Sequence, residues 1–212
     1  KVLVVERFDR LWSADHSWLI RLPQEDMCQA MGYPGHMKYE SDSGPGMDKI
    51  LNFLNGSTNV EQDKVHFIKA QFLFWLLCAS DGHAKNFSIQ HQAGGRYALA
   101  PLYDVLSVYP VLGEGANLVS PHKVKMAMAV RGKSPHWKMR EIQPRHWHEL
   151  AKRHGMASTG PESPFEQVIE QTPRVIETVK SLIPSDFPAQ VSESILNGLE
   201  GAAKRFIKSD SH

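Results

Sequence analysis

The sequence predicts an α-rich α+β fold: a core built on one buried helix, a polar loop and a β-hairpin, followed by a helical C-terminal subdomain. Three observations predict it. An apolar run from Phe72 to Ala79 stops abruptly at Ser80, and six residues dense in functional groups follow, Asp81-Gly82-His83-Ala84-Lys85-Asn86. Two β-favouring stretches, 87–90 and 97–100, then flank a Gly94-Gly95 turn, the pattern of a hairpin. Beyond residue 144 apolar residues recur at helical spacing between prolines, which reads as helices with marked breaks. The 212 residues are 42% hydrophobic and 22% charged, with a net charge of +1, and this excludes a disordered chain. No apolar run is long enough to span a bilayer as a helix. Cys28 and Cys78 offer neither a disulfide framework nor a zinc spacing, so a reducing cytoplasm is the simplest setting.

In chain order, residues 2–8 read as a strand, because Val2-Leu3-Val4-Val5 is β-favouring and unbroken, as in a strand buried on both faces. Trp12 and Trp18 flank a polar turn and predict a hairpin. Pro23-Gln24-Glu25-Asp26 reads as a helix start, with proline in the first turn and acids at the positive end of the dipole. That helix should run to Met31 and stop at Gly32. Residues 41–48 are a loop by composition, and Gly44-Pro45-Gly46 matches neither a P-loop nor a dinucleotide fingerprint. Ile50, Leu51, Phe53 and Leu54 predict a short helix closed by Asn55-Gly56. The helix over about 62–79 has Val65, Ile68, Phe72, Trp75, Leu76 and Ala79 on one face, and Phe74 and Leu77 fill in the rest. Such a helix is buried nearly all round, and its aromatic stripe is core. It would hold the loop that follows rigid, as precise chemistry requires. Residues 105–121 read as an irregular loop. Helices are expected over about 145–154, 164–182 and 187–208, with 160–164 as a linker, a kink at Pro173 and a frayed tail over 204–212. The resulting division is 1–10, 11–143 and 144–212.

The chemistry concentrates in the loop and in Asp104, just beyond the hairpin. Phosphoryl transfer needs a group that accepts the attacking hydroxyl's proton and oxygen ligands for magnesium on the nucleotide phosphates. Asp81 suits the first role, and Asn86 with Asp104 the second. The interval from Asp81 to Asn86 matches the Asp-to-Asn interval of the kinase catalytic loop, and a metal-binding Asp after a hairpin follows the kinase order too. The flanking letters differ: no His-Arg precedes Asp81, and Asp104 sits in Tyr-Asp-Val. On the spacing alone a plainer reading stands ahead, with Asp-Gly-His a turn and Asp104 a strand-end cap, since short motifs recur by chance. His83 is an alternative base, its imidazole titrating nearest neutrality.

Four segments in order change that balance. Val4 to Arg10, Leu22 to Asp26, Asp81 to Phe87 and Pro101 to Asp104 together resemble the HipA family, the serine/threonine-protein kinase toxins of bacterial type II toxin–antitoxin modules. The resemblance implies a protein-kinase-like C-lobe. It implies Asp81 as the catalytic base, and His83, Ala84, Lys85 and Asn86 lining the nucleotide phosphates. Tyr103 and Asp104 would complete that site, with Asn86 and Asp104 on magnesium (Mg2+). Glu6, Arg7 and Phe8 would form a hinge that binds the adenine of ATP through the backbone. The family also implies a HipB-type antitoxin, operator DNA, glutamyl-tRNA synthetase as substrate, and growth arrest leading to persistence. The phosphate-covering loop and phosphate-pairing lysine that precede the hinge in the family have no match here, so the sequence looks like the C-terminal part of a longer protein.

Charge is asymmetric in one place. Residues 121–154 hold nine Lys or Arg against two Glu, together with five histidines, Trp137 and Trp147. His146 and His148 lack metal spacing. A basic stretch with aromatics is either a solvated face or a phosphate-backbone contact, and Lys152 and Arg153 are the candidates to face DNA. Two rivals to the kinase stand: a catalytically inactive module that binds antitoxin and DNA, and an unrelated magnesium phosphohydrolase using the same acids.

Overall fold

The computed structural model describes residues 4–210. Its strands form small antiparallel sheets packed around helices. β1 (Arg10–Trp12) and β2 (Leu19–Arg21) make the hairpin expected between the two tryptophans. β3 (Gln24–Asp26) pairs with β4 (Ser88–Gln92), which pairs with β5 (Arg96–Leu99). The 87–100 hairpin is therefore as expected, but 23–26 is a correction. Gln24 and Glu25 lie opposite Gln90 and Ile89 in the ladder, so the sheet edge recruits residues that local composition assigns to a helix. Only Asp26 keeps a helix-start role: it caps α1 (Met27–Ala30) by accepting from the Gln29 N–H. Gly32, at φ 73°, ends that turn, where glycine is the residue without a steric penalty.

The strand expected over 2–8 is a second correction. Val4 and Val5 are exposed and no described strand lies against them; β-branched residues become a strand only where a neighbour takes up their backbone groups. Val2 and Leu3 lie outside the described residues.

α2 (Met47–Phe53) leads through a single 3-10 turn into α3 (Val60–Leu76). Phe67, Ile68, Phe72, Phe74 and Leu76 of α3 are all buried, which bears out the helix buried nearly all round. β6 (Lys125–Arg131) and β7 (Pro135–Lys138) form a hairpin that charge counting concealed. Met126 to Val130 are all buried, so this strand shows no alternation and its basic ends dominate the local composition.

α4 (Pro144–Arg153), α5 (Pro164–Leu182) and α6 (Ala189–Asp210) match the expected C-terminal helices, and α5 runs through Pro173 without ending. They dock on α3 through one aromatic cluster. Phe72 stands at its centre, its ring centroid 5.0 Å from those of Phe165 and Phe206 and 5.3 Å from that of Trp147. Phe206 is buried within α6, so the chain from 204 to 210 is helical and held, where fraying was expected; residues 211–212 lie outside the described residues.

Candidate active site

α3 delivers the chain into the loop at 80–86. Cys78 adopts φ 54°, turning the backbone out of the helix. Gly82 then passes directly over Phe74: a Cβ at Gly82 would stand 2.1 Å from that ring, which is 1% exposed. Glycine alone permits this approach. Gly82→Ala should cost about 1–3 kcal/mol by overpacking, read as a lower urea midpoint; an unchanged midpoint would show that the ring yields.

Beyond Gly82, backbone bonds tie the loop into a knot. The His83 N–H donates to Asp81 O at 2.8 Å and to Asn86 Oδ1 at 3.2 Å. Asn86 Nδ2 donates to Asp104 Oδ2 at 2.6 Å. Asp104 sits at φ 57°, a left-handed conformation that Asp tolerates better than most residues. The Tyr103 hydroxyl donates to Lys85 O at 2.8 Å and lies 2.5 Å from the Ser88 hydroxyl. Lys85 Nζ bonds Asp26 Oδ2 at 2.6 Å, so the capping acid of α1 also anchors the loop lysine. Burial, then the nearby Lys38 ammonium, push the His83 imidazole below its ordinary range, which keeps it neutral at pH 7 and better suited to orienting than to carrying charge.

Asp81 has a partner that the sequence did not reveal. The Tyr39 hydroxyl donates to Asp81 Oδ1 at 2.6 Å, and the Tyr39 ring meets the His83 ring edge-on at 5.1 Å. Glu40, the next residue, is clamped by the Ala129 N–H and the Arg131 guanidinium of β6, which holds Tyr39 in place. The bond to Asp81, then burial, raise the Tyr39 hydroxyl to about 12. A raised acid contributes stability below its unfolded value, about 10 for tyrosine, and loses it as pH climbs through the folded value. Tyr39→Phe should therefore cost about 1–3 kcal/mol at neutral pH, and wild type and variant should converge as pH rises towards about 12. A difference that stays constant to that pH in chemical denaturation would show that the bond contributes nothing.

A cleft of about 890 Å³ gathers most of the expected residues. Glu6, Arg7, Phe8, Lys85, Tyr103 and Asp104 all line it. The Phe8 and Tyr103 rings pack against each other in its lining, their centroids 5.8 Å apart. Its volume lies within the ordinary range for small-molecule sites. Asp81, His83, Ala84 and Asn86 are not in its lining; Asn86 joins it through the bond to Asp104, and the His83 N–H ties Asn86 to Asp81. Lys152 and Arg153 lie elsewhere, at the end of α4. Arg153 donates to Arg131 O and lies 3.5 Å from Asp48, while Lys152 is exposed. Trp147 is fully buried and packs on Phe72 and Phe165, so the aromatic interleaving expected of a nucleic-acid face does not extend to it. The amphipathic turn of α4 points that side chain inward.

Among the described residues no three His, Cys, Asp or Glu side chains stand together as a metal cluster. Magnesium does not need one, since it takes one or two carboxylates beside phosphates and water. Asp104 supplies a carboxylate. Asn86 turns its amide nitrogen to Asp104 and its oxygen to the His83 N–H; because that N–H also bonds Asp81 O, the amide can turn its oxygen outward and leave the N–H satisfied. The donor chemistry fits a hard cation.

Tyr39 carried no motif that a sequence could announce: it lies 42 positions from Asp81. Asp26 was visible as an acid, but its bond to Lys85 spans 59 positions.

The family described as HipA-like C-terminal domain matches residues 1–179. A protein of Sinorhizobium fredii named "Putative kinase Y4mE" is 36% identical over 157 residues, covering 73% of this chain and 34% of that protein. The serine/threonine-protein kinase toxin HipA of Shewanella oneidensis is 29% identical over 119 residues, covering 51% of this chain and 27% of the toxin. The chain thus spans about a third of the length of the first of these curated relatives and about a quarter of the second. A solved structure of HipA with HipB and operator DNA from Shewanella oneidensis superposes with a TM-score of 0.79 at 18% identity, over 97% of this chain and 49% of that one. At that identity the likeness speaks to the fold. No helix among the described residues is long and apolar enough to cross a membrane.

Proposed function

The chain belongs to the family of HipA-like C-terminal domains, and from that premise we propose that it carries the catalytic loop of a serine/threonine protein kinase, moving the γ-phosphate of ATP to a Ser or Thr hydroxyl. One observation carries the reading. Asn86 and Asp104, 18 positions apart, meet at 2.6 Å beside a cleft that Glu6 to Phe8 also line. Adenine would lie against the backbone of Glu6 to Phe8 and the Phe8–Tyr103 ring pair. The phosphates would point towards Lys85 and Asp104. Asp104 and a turned Asn86 would hold magnesium, which supplies positive charge against the phosphate oxygens. Asp81 would accept the hydroxyl proton, and Tyr39 would fix which carboxylate oxygen is free to do so. Lys85 would shift from Asp26 to the transferring phosphate, the two anions competing for one ammonium.

The kinase named among the relatives is a toxin, and the fold is that of a protein solved with HipB and operator DNA. We carry over, as part of the same proposal, a HipB-type antitoxin and operator DNA as partners, glutamyl-tRNA synthetase as substrate, a cytoplasmic setting, and growth arrest leading to persistence. Lys152 is the better DNA candidate, because Arg153 is engaged with Asp48 and Arg131. The second reading, an inactive module that binds antitoxin and DNA, draws on the same bonds: Tyr39 occupies Asp81 and Asp26 occupies Lys85.

The test uses the longest natural protein that contains this chain, with γ-labelled ATP, magnesium and glutamyl-tRNA synthetase. Asp104→Asn removes a charge worth several kcal/mol in the transition state, so label transfer should fall about a hundredfold or more. Equal labelling by wild type and Asp104→Asn would end the proposed role. No labelling by wild type, with the antitoxin still bound, would favour the inactive module.

A further inference from the structure

The geometry points to a second ligand site, sharing no lining residue with the cleft, that takes a small amphiphilic anion: an apolar or aromatic body bearing a carboxylate or phosphate. It goes beyond the kinase reading and does not depend on it. A cavity of about 780 Å³ opens between the end of α3, the loop at 109–121, the segment after β7, and α6. Its size suits a small molecule. Its floor is apolar, with Trp75, Leu112 and Phe206 facing inward. Its rim is cationic: Arg140, Arg205 and Lys208 all line it, and no carboxylate among the described residues does.

The acids nearest in sequence are already engaged. Glu141 pairs with Lys138 at 3.0 Å, and Asp210 lies 3.6 Å from His148. Arg140, Arg205 and Lys208 are all exposed, and Arg205 also reaches the Tyr109 hydroxyl. Three positive side chains over a greasy floor leave two unmet demands, apolar contact below and negative charge above. A neutral apolar ligand meets only the first, and inorganic phosphate only the second. An acyl or aryl anion meets both, with Arg205 and Arg140 offering the forked donors that match carboxylate or phosphate.

The cavity wall is firm. The Tyr109 hydroxyl donates to Leu76 O at 2.9 Å, the Ser107 hydroxyl to Leu77 O at 2.6 Å, and the Val108 N–H to Cys78 O at 3.2 Å. These bonds close the end of α3 against the 107–112 segment, so the floor is preformed.

The test is calorimetric titration of the longest natural protein that contains this chain with sodium octanoate, octanol and inorganic phosphate as separate probes, with hydrogen exchange to locate the binding. Octanoate should bind at least tenfold tighter than either octanol or phosphate. Arg205→Ala and Lys208→Ala should each weaken octanoate about three- to tenfold and leave octanol unchanged. Exchange should slow at 75–78, 109–112 and 202–209. Equal binding of octanoate and octanol, protection elsewhere, or unchanged octanoate affinity in both variants would overturn the site. An octanoate affinity weaker than that of a peptide ending in an apolar residue and a free carboxylate would assign the cavity to a partner's tail and overturn the small-molecule proposal.

Discussion

Asp81→Asn is expected to lower phosphate transfer by about 10²–10⁴-fold, the span that a positioned general base commands. The substitution keeps the shape and the bond from Tyr39, because an Asn oxygen can still accept the hydroxyl at the 2.6 Å position. What it removes is the proposed acceptor for the substrate proton. Loop geometry should survive, since Asp81 holds His83 through its backbone oxygen and not through its side chain. Nucleotide affinity should therefore change little while turnover collapses. The measurement is single-turnover labelling beside direct ATP titration of the full-length protein. A fall in ATP affinity matching the fall in rate would recast Asp81 as a phosphate-side ligand, and an unchanged rate would return the base role to His83. Burial and Lys38 hold that imidazole neutral, so it is chemically able to accept a proton, but it is buried where Asp81 is only half-buried.

Phe72→Ala is expected to cost about 3–5 kcal/mol, the loss typical of a fully buried aromatic. The ring is 0% exposed and touches rings from α3, α4, α5 and α6. Removing it opens a void where three C-terminal helices meet the helix that leads into the loop at 80–86. The loss should appear in urea unfolding, together with a weakened grip on the loop: Phe74 and Trp75, which follow Phe72 in α3, meet Gly82 and the aromatic cluster respectively. A cost below about 1 kcal/mol would mean that the cluster collapses to fill the space, and the C-terminal helices would then be less firmly joined to α3 than their packing indicates.

The loop, the hairpin and the C-terminal helices were legible because each is written in local pattern. An apolar run that ends at Ser80, a Gly-Gly turn and prolines at helix boundaries are statements about neighbours in the chain. The pairing of Asn86 with Asp104 was legible for the same reason, since one hairpin separates them. β3 was not, because whether Gln24-Glu25-Asp26 becomes strand or helix depends on β4 lying alongside, more than sixty positions later. β6 was hidden by its own burial: covered on both faces, it had no alternation to show.

The order of chemical groups, acid, imidazole, ammonium, amide and second acid, was determined by the sequence alone, and so was the helix that supports them. Tertiary structure alone decided which of those groups are free. Tyr39 on Asp81 and Asp26 on Lys85 are contacts between segments 42 and 59 positions apart. Periodicity reports only which face of an element turns inward; which distant side chain meets that face is set by how the elements pack.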